Sequence, residues 1–509
     1  MHAAGAGTGN RGKWMALIAA LLGWMFDGFE MGLFPLIGTP ALQDLLGLEP
    51  GDPTISQWFG VIFAVFLLGA ATGGVFFGWL GDRIGRVRAM SLSIFTYAIF
   101  TGLCGFATEA WHIAVLRFIA SLGMGGEWAL GVALVTELWP DRSRAFLAGL
   151  IGAAANVGFL LVGLISLVMT QLLTEIHSVL TTIGLPPETV ERLLANSGWR
   201  FLMILGALPA LMVFFIRLFV PESQRWEAEK KRGGTSHWAN RDLVGVIIGA
   251  AGAGLIIFLW SPLGKMPSLG DLETWVQGAG TLVGLGIAIV GFMYPVMRYL
   301  ERAQIAGSMS PGSLALVRRR MLLGAALAGV ALIGTWGSIQ WAARWAAQLG
   351  GDAFPHAKEY TQISLALGAI LGTIVAAMMG DWLGRRMTYT LLCIGSTIAC
   401  LILYQTNDAY NNAFLFWVFV AGAVTASFYG WFPLYMPELF PTSVRATAQG
   451  FAYNFGRVIA AIGTLQTATL MGLFDNSFAK AGSVLSVIYL IGAVIIWFGP
   501  ETKGKPLPD

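Results

Sequence analysis

Charged residues set inside long apolar stretches are where this chain can do chemistry. Asp27 and Glu30 lie in the run 14–37, Arg117 and Glu127 in 111–139, and Arg457 in 443–472. An ion in hydrocarbon must be paired, neutralised by a proton or wetted, so a carboxyl at that depth reads first as a proton site. Asp27 is 14 residues beyond Lys13 (27 − 13), roughly 21 Å along a helix at about 1.5 Å per residue, at or past mid-membrane. Glu30 is one turn further on and, at i+3, shares its face. On antiparallel helices the depth of Arg117 matches that of Glu30, and the depth of Glu127 matches that of Asp27. Asp27, Glu30, Arg117 and Glu127 are therefore the expected proton-handling set, with Arg117 paired to one of the first two. The plain structural alternative is a static ion pair tying helices together, although such pairs need not stabilise.

Arg457 lies 12 residues past Arg445 (457 − 445), roughly 18 Å into its helix, with Tyr453 and Asn454 one turn below. A guanidinium grips a carboxylate through two parallel hydrogen bonds, so this position suits an anionic substrate. The expected binding residues are Asn156, Gln340, Trp341, Tyr429, Tyr453, Asn454 and Arg457. A partnership of Arg457 with Glu438 or another acid, as part of the gate, is the alternative. Arg344 is expected at an outer gate. Trp24, Trp128 and Trp431 sit mid-helix, where packing is the simpler role; Gly334, Gly337 and the Gly430–Pro433 pair are hinge candidates.

The elements that must carry these residues come in two copies. Glu137, Leu138, Pro140, Arg144, Ala145 and Gly149 recur as Glu438, Leu439, Pro441, Arg445, Ala446 and Gly450, every pair 301 residues apart (438 − 137). Gly81, Asp82, Gly85 and Arg86 recur as Gly380, Asp381, Gly384 and Arg385 at 299 (380 − 81). At the larger offset the counterpart of Arg457 is Asn156, so positive charge is fixed on one half only. Charged residues are 12% of the chain and apolar ones 56%, an excess of apolar surface that needs lipid as solvent. A duplicated plan in such a chain is the mark of a secondary transporter with its site between repeats. Net charge +3 gives no reason to expect nucleic acid. Cys104, Cys393 and Cys400 lie in apolar segments and read as core. No cleavable leader is expected, since the first apolar run is long and carries acids.

Fourteen spanning segments are expected, near 14–37, 57–80, 88–106, 111–139, 144–173, 199–220, 243–260, 273–297, 321–349, 361–380, 386–404, 412–437, 443–472 and 481–499. Most Lys and Arg then fall on the side of both termini, which makes that side cytoplasmic by the positive-inside rule. The organisation is a cytoplasmic N-terminus 1–13, a six-helix bundle 14–220, a linker 221–320 with two inserted helices, a second bundle 321–499 and a cytoplasmic tail 500–509.

Gly78, Gly81, Asp82, Arg83, Gly85 and Arg86, with their copy from Gly380 to Arg386, resemble the signature loop of the major facilitator superfamily. Arg117-Phe118, the run Gly123 to Trp128, Pro221-Glu222-Ser223, Pro437-Glu438-Leu439-Phe440-Pro441-Thr442 and Pro500-Glu501-Thr502 resemble its sugar-porter and metabolite:proton-symporter branches. Asp27-Gly28-Phe29-Glu30 is similar to the Asp-Gly-Phe-Asp of carriers of aromatic acids and sialic acid, with Glu in the fourth place. The inserted pair and the stretch from Gly123 to Gly149 are most similar to the sialic-acid:proton symporters. The resemblance implies an all-α fold of two six-helix bundles plus the inserted pair, and alternating access around a central site. It also implies proton-driven uptake of a small organic anion, a sialic-acid-like sugar acid first. Asp82, Arg86, Glu137, Arg144, Glu222, Asp381, Arg385, Glu438 and Arg445 are the expected gate on the cytoplasmic side. Their charge pairs, read as half-wet, are worth up to about 1 kcal/mol each. The protein is expected to be a monomer in the inner membrane, with no cofactor or metal and only the proton as coupling ion. A neutral sugar or polyol carrier and a transporter-like nutrient sensor are the alternatives. A membrane enzyme is disfavoured, because no Ser/His/Asp set or phosphate loop falls among the helices.

Overall fold

The computed structural model describes residues 10–508 except 50–51, 140–142, 210–211, 213–215, 217–218, 262–263, 271, 311, 466–470, 472 and 476. Among these residues twelve helices are long and apolar enough to cross a membrane. Two expected spans, 199–220 and 443–472, lie partly outside the described residues. The first half is built from α1 (Asn10–Leu46), α2 (Pro53–Ile84), α3 (Arg86–Cys104), α4 (Ala110–Leu138), α5 (Arg144–Leu167), α6 (Met169–Thr182) and α7 (Pro187–Leu205). A short α8 (Gln224–Lys231) leads to the inserted pair, α9 (Leu243–Trp260) and α10 (Leu272–Ile305). The second half holds α11 (Ser313–Gly337), α12 (Ala342–Gly350), α13 (Ala357–Leu383), α14 (Arg385–Thr406), α15 (Asn412–Thr425) and α16 (Phe428–Leu439). It closes with α17 (Arg445–Asn454), α18 (Gly456–Leu465), α19 (Phe478–Ser486) and α20 (Ile488–Ile495).

Local sequence sets the ends of these helices. Asp52 caps α2, accepting from Thr54 N at 2.7 Å, and Pro53 fills the first turn, where a missing N–H costs nothing. At the other end α2 turns into α3 at Gly85 (φ 112°), and α13 turns into α14 at Gly384 (φ 97°). Only glycine adopts these angles without strain. A Cβ at Gly384 would also meet a Glu501 carboxylate oxygen at 3.0 Å, and one at Gly85 would overlap Glu222.

The halves meet along two seams. In one, α2 lies against α17 and α18; in the other, α5 lies against α13 and α16. Both use glycine for close approach: Gly78 faces the Ala446 and Thr447 backbone, and Gly152 faces Tyr429 and Gly430. Gly430 is thus a packing point inside α16. The break comes earlier, at Ala426–Ser427, where Ser427 Oγ donates to Gly372 O (2.9 Å) and Ala423 O (2.6 Å). After Gly337 the chain breaks as expected, through a short 3₁₀ turn, Ile339–Trp341, into α12.

The inserted pair forms a close-packed hairpin in which Gly245, Gly249 and Gly252 meet Gly284, Ala288 and Gly291, and it rests on α2 and α18. Both described chain ends lie on one face: a Cβ added at Gly12 would stand 3.1 Å from Pro221, and Pro508 O accepts from Arg445, which itself reaches Glu137. We call this the terminal face. On the opposite face α7 kinks at Asn196–Gly198, and Asp44 clamps it through Asn196 (2.9 Å), Trp199 (3.1 Å) and Arg200 (3.0 Å). The three cysteines are buried and free.

Candidate functional site

A cavity of about 800 Å³ lies between the halves, and its walls are mostly apolar: Trp24, Met31, Phe159, Leu332, Trp336 and Tyr429 among others. Polar groups are few: Asn156, Thr335, Gln340, Gln362, Thr425, Tyr453 and Arg457. Arg457 is the only charged residue among the described lining. It is 3% exposed, stands 5.9 Å over the Tyr453 ring, and its Nη1 has no partner among the described residues. Of the alternative partners, Glu438 is engaged elsewhere by Arg385 (2.6 Å) and Arg144 (3.6 Å), and Asp27 lies near enough to feel the charge of Arg457 but forms no ion pair with it among the described residues.

Five of the seven expected binding residues line this cavity: Asn156, Gln340, Tyr429, Tyr453 and Arg457. Two do not. Asn454 is fully buried in the seam, donating to Gly125 O (3.1 Å) and Gly450 O (3.0 Å), because α17 turns that face toward α4. Trp341 lines a wider vestibule of about 1420 Å³, which shares Trp336, Gln340 and Gln362 with the cavity and opens away from the terminal face. Trp24 lines the cavity, whereas Trp431 packs on Tyr389 and Tyr435. Sequence reasoning missed Thr335, Trp336, Gln362 and Thr425. Gln362, an amide within an apolar span, carried a signal that went unused.

The four membrane-embedded charges sort into two pairs. Arg117 Nη1 reaches Glu30 Oε1 at 2.9 Å, with Thr101 Oγ1 donating to the same oxygen at 3.3 Å and the guanidinium over the rings of Phe34 (4.3 Å) and Phe66 (4.6 Å). Asp27 and Glu127 are fully or almost fully buried and are close neighbours. No other described group donates to either carboxyl. A carboxylate only accepts, so two such groups buried side by side repel unless one of them carries a proton. Of Arg117's two candidate partners, then, the structure selects Glu30. Neither acid pair lines the cavity; Trp24 and Tyr453 do, with Trp128 stacked on Tyr453 at 3.7 Å.

On the terminal face the repeated motifs close the molecule. Glu137 of the first half accepts from Arg445 of the second at 2.7 Å and from Arg86 at 3.2 Å, and Ser223 donates to it as well. Asp82 binds Arg86 (2.8 Å) and receives Ala446 N (3.2 Å), Thr447 N (2.8 Å) and Thr447 Oγ1 (2.6 Å) across the seam. These side chains are not half-wet: Arg86, Glu137 and Arg445 are completely enclosed. Removing one partner therefore strands a buried charge, a loss of roughly 3–5 kcal/mol rather than the about 1 kcal/mol of surface pairs. Asp381 differs from its twin, being 58% exposed and 3.5 Å from Arg385. Glu222 accepts from Arg86 N (2.9 Å) and Val87 N (3.1 Å), and burial pushes its carboxyl above the usual range. Burial works the same way on Glu501, but backbone N–H groups of Arg385, Lys503, Arg386 and Thr502 outweigh it and hold that carboxyl below the usual range.

The sugar (and other) transporter family model matches residues 15–238 and 317–509, leaving out the inserted pair. The chain belongs to this family. It is thus a multi-pass membrane transporter of the major facilitator superfamily, and the family is one of carriers rather than enzymes. This transporter is 26% identical over 486 residues to the cis,cis-muconate transport protein of Acinetobacter baylyi, covering 95% of this chain and 94% of that one. It is 32% identical over 216 residues to the sialic acid transporter NanX of Escherichia coli, covering 42% and 45%. Among solved structures its fold is similar to the proton:xylose symporter XylE bound to 6-bromo-6-deoxy-D-glucose, with TM-score 0.64, 17% identity, and 97% and 98% coverage.

Proposed function

We propose that this transporter is a proton-coupled symporter of a small organic carboxylate, working by alternating access in the inner membrane with the terminal face in the cytoplasm. The observation that carries the anionic substrate is Arg457, an enclosed guanidinium with an unpartnered nitrogen at the wall of an otherwise uncharged cavity. Proton coupling is supported by Asp27 and Glu127, two buried neighbouring carboxyls with no described donor, whose repulsion a proton would relieve. The Glu30–Arg117 pair sits one turn away, so loss or gain of that proton changes the field on both pairs. Closure at the terminal face by Asp82, Glu137, Glu438, Arg144 and Arg445 corresponds to an outward-facing carrier. We read 14–220 and 321–499 as the two bundles, 221–320 as the linker bearing the extra pair, and the working unit as a monomer.

Within carboxylates the lining favours a second reading over a sugar acid. A polyhydroxylated ring needs many hydrogen-bond partners, and this cavity offers aromatic and aliphatic walls with a handful of amides and hydroxyls. A planar unsaturated acid fits that balance better. Uptake into proteoliposomes decides among these, using cis,cis-muconate, N-acetylneuraminate and xylose with and without a pH gradient. At least one acid should accumulate, and only with the gradient. Arg457→Gln should weaken it by roughly 2–5 kcal/mol, while Arg457→Lys restores part. Accumulation of xylose alone, or equal competition by muconate and its uncharged diamide, overturns the anion reading. Accumulation that survives collapse of the gradient overturns the coupling.

A further inference from the structure

The vestibule outside the cavity holds two more cations. Arg344, on α12, and Lys358, on α13, both line it and both are exposed. Neither forms an ion pair or hydrogen bond among the described residues. The nearby acid, Glu359, shares an adjoining pocket with Lys358 and accepts from Ser166 Oγ at 3.1 Å; with no ion pair to either cation among the described residues, it offsets only part of their charge. Across the vestibule the first half presents Pro35, Phe59 and Phe63, an apolar, low-dielectric wall. The net positive charge that remains, facing such a wall in a recess, focuses its field into the opening and raises the local concentration of the opposite charge.

The three cations also fall in order of exposure along one path. Arg344 and Lys358 stand at the mouth, Trp336, Gln340 and Gln362 border both spaces, and Arg457 lies enclosed within. All three belong to the second half. We propose that Arg344 and Lys358 form a loading site for carboxylate anions, a weak outer station from which the substrate passes to Arg457. The proposal rests on the anionic reading of the substrate. A wet, exposed pair gives a shallow, fast-exchanging site, which suits a station that must release inward and not trap.

A cysteine at Ala343, beside Arg344 in the same vestibule, reports on this field without requiring transport. The three native cysteines are buried and leave the background low. Its modification rate is compared for an anionic and a cationic methanethiosulfonate, each normalised to a free thiol. At about 0.01 M salt, where the Debye length is roughly 30 Å, the anionic reagent should lead by about tenfold. At about 1 M, where the length is roughly 3 Å, the lead should fall below about twofold. Arg344→Gln with Lys358→Gln should remove the lead at low salt, and Arg344→Lys should keep it. Millimolar cis,cis-muconate should slow the anionic reagent in the background carrying both cations and not in the double variant. An equal rate ratio in the double variant, or no slowing by muconate, overturns the loading site. Failure of the anionic reading itself shows elsewhere, in wild-type competition between muconate and its diamide.

Discussion

At the scale of single residues, the charges in the membrane divide into a pair of acids, to which we assign the coupled proton, and an ion pair that ties two helices. Because α1 and α4 run in opposite directions, Glu30 meets Arg117 at one level and Asp27 meets Glu127 below it. Asp27→Asn and Glu127→Gln each remove the need for a shared proton, and amide and carboxyl can still pair. Both variants should therefore fold, catalyse exchange of substrate in counterflow, and lose accumulation driven by a pH gradient. Wild-type accumulation in both would end the assignment. Glu30→Gln should behave differently: it leaves the guanidinium of Arg117 enclosed without a counter-charge, a cost of roughly 3–5 kcal/mol seen as lost folded yield or melting temperature. Depth arithmetic from the sequence found all four residues and matched their levels, since the helix rise is fixed. It left Arg117 a choice between Asp27 and Glu30, because two side chains one turn apart are both within an arginine's reach. For the same reason Asn454 was misplaced: one residue of rotation separates the cavity from the seam.

At the scale of elements, the two corners are where sequence and geometry agree best. Gly85 and Gly384 have positive φ, and each is followed by an arginine whose backbone N–H meets a glutamate from the end of its own half. Glu501 gains from this as an anion. Its folded-state pKa lies below its unfolded one, so its stabilising effect is present above the unfolded value and fades as pH falls through the folded value. Glu501→Gln should lower the melting temperature of the purified protein at pH 7, and the gap from wild type should close on acidification below the ordinary carboxylate range. A gap independent of pH would mean that the side chain acts through packing. Glycine and repeat spacing made these corners legible. The break between α15 and α16 was not, because no glycine or proline marks it; a hydroxyl reaching a neighbouring helix makes it.

At the scale of the whole molecule, closure of the terminal face depends on contacts that exist only while the halves are together: Arg445 to Glu137, Arg144 to Glu438, and Asp82 to the start of α17. Glu137→Gln deprives Arg86 and Arg445 of a common counter-ion and should shift the population toward opening on that face. The measurement is labelling of a cysteine placed at Thr447: a several-fold faster reaction is expected, and an unchanged rate would return Glu137 to a static role. The duplication announced in the sequence located the charged members of this closure, though not Thr447 or Ser223, and its members are not used alike. Asp82 is enclosed and takes four donors from three residues, while its copy Asp381 is 58% exposed and touches one arginine. Twin positions that began with the same residue thus live under unequal obligations. Random variation should be tolerated broadly at Asp381 and hardly at all at Asp82, so an ancestral duplication leaves one copy of its motif bound to mechanism and the other free to drift.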